Sequence, residues 1–101
     1  MSGTKHDQEK PAIALIPHEA MTGIGRAMTY GAKKYDAHNW RGGFKWLRLA
    51  SAANRHLWAW IGGQDNDDES GLNHLYHTGA CIMMLIGHVD SNLGEDDRWK
   101  P

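Results

Sequence analysis

Residues 72–89 read LNHLYHTGACIMMLIGHV, and the spacing of the apolar residues in this stretch decides the class of the fold. Apolar or small residues recur at alternating intervals of three and four positions, at Leu72, Leu75, Gly79, Ile82, Ile86 and Val89. Residues three and four apart lie on one face of an α-helix. The stretch therefore predicts an amphipathic helix from about Leu72 to Val89, with Ser70 as its N-terminal cap.

Two further helices are predicted upstream of this one. The first starts near His18, after a proline, and the second runs from about Lys45 to Ile61 and ends at a Gly-Gly pair. The apolar residues at helical spacing are Met21, Ile24, Met28 and Tyr35 in the first, and Leu47, Ala50, Leu57 and Ile61, the predicted core stripe, in the second. No strand-like alternation occurs. The sequence therefore predicts an all-α fold, a small bundle of three main helices that is completed by oligomerisation.

The chain of 101 residues has the length of one domain. We expect residues 1–10, which are mostly polar, to form a flexible N-terminal arm, residues 11–91 to form a single α-helical domain, and residues 92–101 to form a polar C-terminal tail. Five tryptophans add much apolar surface to so short a chain. They favour a core shared across a homo-oligomer interface, or a site that stacks on flat rings.

Composition argues against several classes of protein. A formal net charge of −1 is untypical of a protein that binds nucleic acid polymers. No apolar run approaches the roughly 20 residues that span a membrane, and the polar N-terminus does not resemble a signal peptide. The single cysteine, Cys81, cannot form an internal disulfide and fits a reducing compartment. These features predict a protein of a reducing cytoplasm that has no membrane partner.

Charge is distributed unevenly along the chain. Between Arg26 and Gly63 the sequence has seven basic residues and one acidic residue, and four acids then fall within residues 65–69. A basic segment followed by an acidic cluster suits a site for polyphosphate and a cation, because bases bind phosphates and acids bind the metal. Ion pairing between a basic helix face and an acidic loop explains the same pattern. Charge alone leaves both interpretations open.

Two kinds of candidate metal ligand follow one another in the segment DNDDESGLNHLYH, residues 65–77. The acidic part is not an EF-hand loop, because Ser70 stands where that motif requires glycine. It is compatible with a looser Mg²⁺ site, since Mg²⁺ needs only one or two carboxylates besides water and phosphate. His74 and His77 lie one turn apart, and Cys81 follows one turn later, a spacing that permits a transition-metal site. A buried and unreactive thiol is the alternative role for Cys81.

Three stretches taken together resemble a known family. They are KPAIALIPHEAM at 10–21, YGAKKYDAHNW at 30–40 and RHLWAWIGGQDNDDESGLNHLYHTGACIMML at 55–85. They resemble the N-terminal domain of phage and prophage dATP/dGTP diphosphohydrolases. The architecture is also distantly similar to that of the MazG-type all-α NTP pyrophosphohydrolases, whose paired carboxylate motifs are absent from the helices predicted here. The resemblance implies a phage-type, α-helical protein that handles purine deoxynucleotides.

Two functions are consistent with this resemblance. The first is hydrolysis of dATP or dGTP to the monophosphate and pyrophosphate with Mg²⁺. The residues expected to bind the nucleotide are Lys33, Lys34, Trp40, Arg48 and Arg55. Those expected to bind metal are Asp65, Asp67 and Glu69, and the catalytic candidates are His56, Glu69, His74 and His77. The alternative is a non-catalytic protein that sequesters a nucleotide-derived host immune signal. A purely structural interaction protein is a third interpretation.

Overall fold

The computed structural model describes residues 9–101, and in this range the chain forms three α-helices and no β-strand. Helix α1 spans His18–Tyr35, α2 spans Trp46–Ile61 and α3 spans His74–Ser91. Two short 3-10 turns, Ile13–Leu15 and Asn39–Gly42, precede α1 and α2. The predicted all-α class is confirmed. Residues 1–8 of the predicted arm lie outside the described part of the chain.

The ends of the helices follow from local chemistry, with one correction. Helix α1 begins after Pro17, whose extended backbone suits a helix entrance. Helix α3 is capped by Asn73, whose side-chain oxygen accepts a hydrogen bond from the Leu75 amide at 2.8 Å. The prediction of Ser70 as this cap was wrong, because the helix starts later than expected. The Ser70 hydroxyl instead accepts from the Leu72 amide, within the preceding loop.

Helix α2 is capped by the C-terminal tail. It has no side-chain cap of its own, and the carboxylate of Asp97 accepts a hydrogen bond from the Leu47 amide at 2.9 Å. The amide of Trp46 donates to the carbonyl of Glu95, and the Trp46 indole donates to that of Leu93. The polar residues 92–101 therefore satisfy the free backbone donors at the start of α2.

Helix α3 contacts both α1 and α2, and the buried apolar residues of the core are small except for one leucine. They are Ala27, Leu49, Ala53 and Ala80. The predicted core stripe of α2 was wrong in part, because Leu47 and Ile61 are exposed. The apolar stripe of α3 also lies largely at the surface, where Leu75, Ile82, Ile86 and Val89 are 39–56% exposed. The packed side of α3 instead contains two buried histidines, His74 and His88.

His88 connects α3 to the loop that precedes α2. Its side chain is fully buried, with 0% exposure. Its Nε2 accepts a hydrogen bond from the Phe44 amide at 3.0 Å, and its Nδ1 lies 2.8 Å from the Met84 carbonyl, to which it donates. The ring also stacks between Trp40 and Phe44, at 5.9 and 6.1 Å between ring centroids. These contacts place two aromatic side chains beside the cavity described next.

Candidate functional site

A cavity of about 380 Å³ lies between the three helices and is lined by residues of all of them. Ligand sites for small molecules fall in roughly the range 300–1,000 Å³, so the cavity is large enough to be one. Its aromatic lining consists of Tyr30, Tyr35, Trp40 and Phe44. Its charged and polar lining comprises Lys34, Asp36, Asn39, Arg48, Arg55, His56, Asp67, Glu69 and His77. Rings and ionisable groups therefore face the same space.

Three histidines meet at one wall of this cavity; we call His56, His74 and His77 the histidine cluster. The Nδ1 atoms of His56 and His74 lie 2.8 Å apart. The Nε2 atom of His74 lies 2.9 Å from the side-chain oxygen of Gln64. Because that oxygen can only accept, Nε2 of His74 carries a proton and its Nδ1 offers a lone pair. The buried ring of His74 thus presents an acceptor towards His56.

The rings of His56 and His77 stack, with their centroids 4.7 Å apart. Partial burial lowers the pKa of His56, and the nearby His77 and His74 rings lower it further. Burial also lowers the pKa of His77, although the Asp67 carboxylate opposes this effect. Its Nε2 lies 2.7 Å from the Ser70 hydroxyl. The lowered pKa values keep both imidazoles neutral near pH 7, which is the form that accepts a proton or binds a metal.

Asp67 is held in a fixed position by the backbone that follows it. Its Oδ2 accepts hydrogen bonds from the amides of Glu69 and Ser70, at 3.1 and 2.9 Å. Partial burial acts to raise the pKa of Asp67, but the bonds from Ser70 and the nearby His77 outweigh it, and the pKa lies below its usual value. The carboxylate is therefore ionised at neutral pH, and its Oδ1 is not used in these two bonds.

A second polar contact joins α1 to the acidic loop. Lys34 on α1 forms an ion pair with Glu69. This contact lowers the pKa of Glu69 and raises that of Lys34. Tyr30, one turn before Lys34, has a raised pKa because of partial burial and the Glu69 carboxylate. Both members of the ion pair line the cavity, so an anionic ligand would compete with Glu69 for the Lys34 ammonium.

Arg48 and Arg55 of α2 line the same space. Trp40 also lines it, and its ring stacks on the guanidinium of Arg41. The guanidinium of Arg48 lies 5.1 Å from the centroid of the Phe44 ring, and that of Arg41 lies 4.5 Å from the Trp40 ring. Arg55 lies about two turns further along α2 from Arg48 and is exposed. Guanidinium groups bind phosphate through paired donors, and rings stack on bases. This part of the cavity therefore suits a nucleotide.

The structure brings most of the predicted site residues together and separates others from them. Those that line the cavity are Lys34, Trp40, Arg48, Arg55, His56, Asp67, Glu69 and His77. His74 lies buried behind His56. Lys33 and Asp65 are exposed and are not part of the lining, and Asp65 contributes its backbone carbonyl, which accepts from the His74 amide. Cys81 lines the cavity, and burial raises the pKa of its thiol, which favours the unreactive form.

Several residues of the site were not predicted from the sequence, among them the aromatic residues Tyr35 and Phe44, which line the cavity. Tyr30 lies one helical turn before Lys34, and this spacing indicates that the two side chains share one face of the helix. Ser70 was interpreted only as a helix cap, and Gln64 was not singled out at all. Ser70 and Gln64 reach the histidines because of the path of the loop between α2 and α3, and apolar periodicity does not predict the path of a loop.

The candidate metal ligands differ from the acidic set expected from the sequence. Within residues 9–101, the group of His, Cys, Asp or Glu side chains close enough to share an ion is His56, Asp67 and His74, whose donor atoms all lie within 4.8 Å of one another. The carboxylates of Asp65, Asp67 and Glu69 do not form such a group, and Glu69 is paired with Lys34. The residues present therefore do not fit a resident Mg²⁺ held by those three acids.

Comparison with known proteins places this chain in a family. The family model described as dATP/dGTP diphosphohydrolase, N-terminal, matches residues 1–98. A protein of Salmonella phage PMBT28 named dATP/dGTP diphosphohydrolase is 34% identical over 98 residues, which cover 97% of this chain and 33% of that protein. The chain thus spans about a third of the length of this relative. No solved structure matches the chain. Because the family model covers nearly the whole sequence, the chain belongs to the dATP/dGTP diphosphohydrolase N-terminal domain family.

Proposed function

We propose that this chain binds a purine deoxynucleoside triphosphate in the cavity and hydrolyses it to the monophosphate and pyrophosphate. The observation that carries the proposal is the lining of one cavity by four aromatic rings, three cations and ionisable groups of the histidine cluster. The name of the phage relative, a dATP/dGTP diphosphohydrolase, supports the choice of substrate. Because the chain spans a third of that relative, hydrolysis by this domain alone is part of the proposal.

The aromatic side of the cavity would hold the base. Trp40 is fixed by stacking on the buried His88 ring, and Phe44 is fixed by its backbone bond to the same histidine. Rings held in this way lose little conformational entropy when a base stacks on them. Tyr35, at the end of α1, is exposed and also lines the cavity. A flat purine would be bound between these groups.

The cationic side would hold the phosphates. Arg48 and Arg55 lie on the face of α2 that lines the cavity, and Lys34 approaches from α1. Arginine binds phosphate oxygens through two parallel bonds, and lysine acts as a compact positive charge. Nucleoside triphosphates are bound as their Mg²⁺ complexes, so this Mg²⁺ would enter with the substrate.

The histidine cluster would accept the proton of the attacking water. Hydrolysis adds water to the α-phosphorus, breaks the bond to the β-phosphate oxygen, and transfers a proton from the attacking water to a base. A neutral imidazole is suited to this role, and His77 has a lowered pKa and lines the cavity. The Ser70 hydroxyl, hydrogen-bonded to its Nε2, would keep the ring in position.

The test is mass spectrometry of products after the purified chain is incubated with dATP, dGTP and the other nucleoside triphosphates, each with Mg²⁺. We expect dAMP or dGMP together with pyrophosphate. Arg55→Ala should weaken nucleotide binding at least about tenfold, since it removes charge-assisted bonds. His77→Ala should abolish turnover and retain binding. Arg26→Ala, an exposed charge on α1 outside the cavity, is the matched control and should behave as the wild type.

The outcomes separate the candidate functions. Nucleotide that is bound but recovered unchanged would overturn hydrolysis and favour the non-catalytic alternative, a protein that sequesters nucleotides. Nucleotide that is neither bound nor cleaved would overturn the proposal. Calorimetry that showed equal affinity for Arg55→Ala and Arg26→Ala would contradict the assignment of the phosphate site.

A further inference from the structure

The facing imidazoles of His56 and His74 form an arrangement that the proposed role of His77 as the base does not need. Their Nδ1 atoms are 2.8 Å apart, and a carboxylate oxygen of Asp67 lies within 4.8 Å of the donor atoms of both rings. Zinc binds nitrogen and oxygen ligands at about 2.0–2.2 Å, so any two ligands of one ion lie within about 4.4 Å of each other. The 4.8 Å limit lies just above this reach, and two tetrahedral zinc ligands lie roughly 3.3 Å apart, so the two rings and the carboxylate would all adjust to hold one ion.

We propose that His56, His74 and Asp67 bind one transition-metal dication of the zinc class, with its open coordination positions towards the cavity. Two nitrogen donors and one oxygen donor favour such ions over Mg²⁺ and Ca²⁺, which prefer oxygen alone. His56 and Asp67 line the cavity, whereas His74 is buried behind them. Three protein ligands on one side of the ion leave a position for water or a phosphate oxygen, as in catalytic zinc sites.

The groups around these three residues are those that orient metal ligands. The Gln64 oxygen accepts from Nε2 of His74 and so directs its Nδ1 lone pair towards His56. Backbone amides hold Oδ2 of Asp67 and leave Oδ1 for another partner. Bonds of this kind fix ring tautomer and carboxylate position in known metal sites. The inference adds a cofactor to the proposed nucleotide site, but binding of the metal does not depend on that function.

The experiment measures binding of the metal alone, with no nucleotide present. The chain is stripped with a chelator, dialysed and titrated with Co²⁺, followed by visible absorption, and with Zn²⁺, followed by calorimetry. We expect one ion per chain. His56→Ala and Asp67→Ala should each weaken binding at least about 100-fold, and Gln64→Ala should weaken it about 10- to 100-fold. His18→Ala removes an exposed histidine of α1 outside the cavity and should leave the affinity unchanged.

Circular dichroism of each variant checks that it is folded. His56 is only partly buried, and its replacement by Gln provides a second variant if the alanine variant does not fold. Absence of Co²⁺ and Zn²⁺ binding, or binding that His18→Ala weakens and His56→Ala does not, would overturn the inference. The two proposals can fail separately. If the chain binds metal but no nucleotide, only the proposed function is refuted. If it cleaves dATP after chelation and binds no metal, only the metal site is refuted.

Discussion

At the scale of single residues, the ionisable groups of the cavity reduce the stability of the fold as the pH falls, in two different pH ranges. The pKa values of His56 and His77 are lowered in the folded chain from an ordinary value of 6.5. The unfolded chain therefore takes up protons first as the pH falls, and the stability that these residues contribute is present in full above pH 6.5 and lost below it. Asp67 and Glu69 also have lowered pKa values, but their contribution is lost only below about pH 4.5.

We accordingly predict that the free energy of unfolding of the metal-free chain falls as the pH is lowered from 7.5 to 5. Urea unfolding in the presence of a chelator measures it at each pH. His77→Gln, which cannot be protonated, should show a shallower decline over this range. A decline of equal slope in the wild type and the variant would show that His77 does not contribute to it.

At the scale of helices, the contact between α1 and α3 requires glycine at position 23 but not at position 25. A Cβ atom at Gly23 would lie 2.4 Å from the ring of Tyr76, whereas no atom lies within 4 Å of a Cβ at Gly25. Both glycines are in the same helix, so replacement by alanine gains the same helix propensity, about 1 kcal/mol. Only at Gly23 is this gain opposed by a clash with a neighbouring helix.

We expect Gly25→Ala to raise the free energy of unfolding by up to about 1 kcal/mol and Gly23→Ala to lower it by about 1–3 kcal/mol. Chemical denaturation of the two variants beside the wild type measures both effects, and each variant is the control for the other. Equal stabilisation by the two substitutions would mean that α1 and α3 are not packed as closely as the structure has them.

At the scale of the whole molecule, much apolar surface is left uncovered by the three helices. The buried apolar residues in the described part of the chain are three alanines and Leu49, whereas Ile86 and Val89 on α3 and Trp58 on α2 are more than half exposed. A core this small would leave a single domain marginally stable. We propose that copies of the chain associate and cover the exposed stripe of α3, as the spacing of its apolar residues suggests.

Light scattering at micromolar concentration should therefore give the mass of a dimer or tetramer. Ile86→Lys, in the middle of the exposed stripe, should shift the mass towards that of the 11.3 kDa chain. Ser51→Lys, which adds the same charge at an exposed position of α2, is the matched control and should leave the mass unchanged. A wild-type mass of one chain would contradict the prediction of a homo-oligomer.

The sequence alone determined the positions of the helices and predicted part of the candidate site. Helix periodicity and the glycine and proline signals depend on interactions within a few residues, so they located α1, α2 and α3 to within about two residues. Most of the charged residues of the cavity and one of its four aromatic residues, Trp40, could be predicted, because charge and ring chemistry are independent of the fold. The family resemblance, confirmed over residues 1–98, rests on the same local stretches.

Only the tertiary structure decided which side of each helix is packed and which of two adjacent residues reaches the cavity. Apolar periodicity predicts a face but not its partner, and α3 packs through the side that contains His74 and His88. Adjacent helical residues lie about 100° apart, so Lys34 lines the cavity and Lys33 does not. The positions of Asp67 and Gln64 follow from loop hydrogen bonds between residues several positions apart. These contacts depend on the path of the loop between α2 and α3, and the spacing of residues along the sequence does not predict that path.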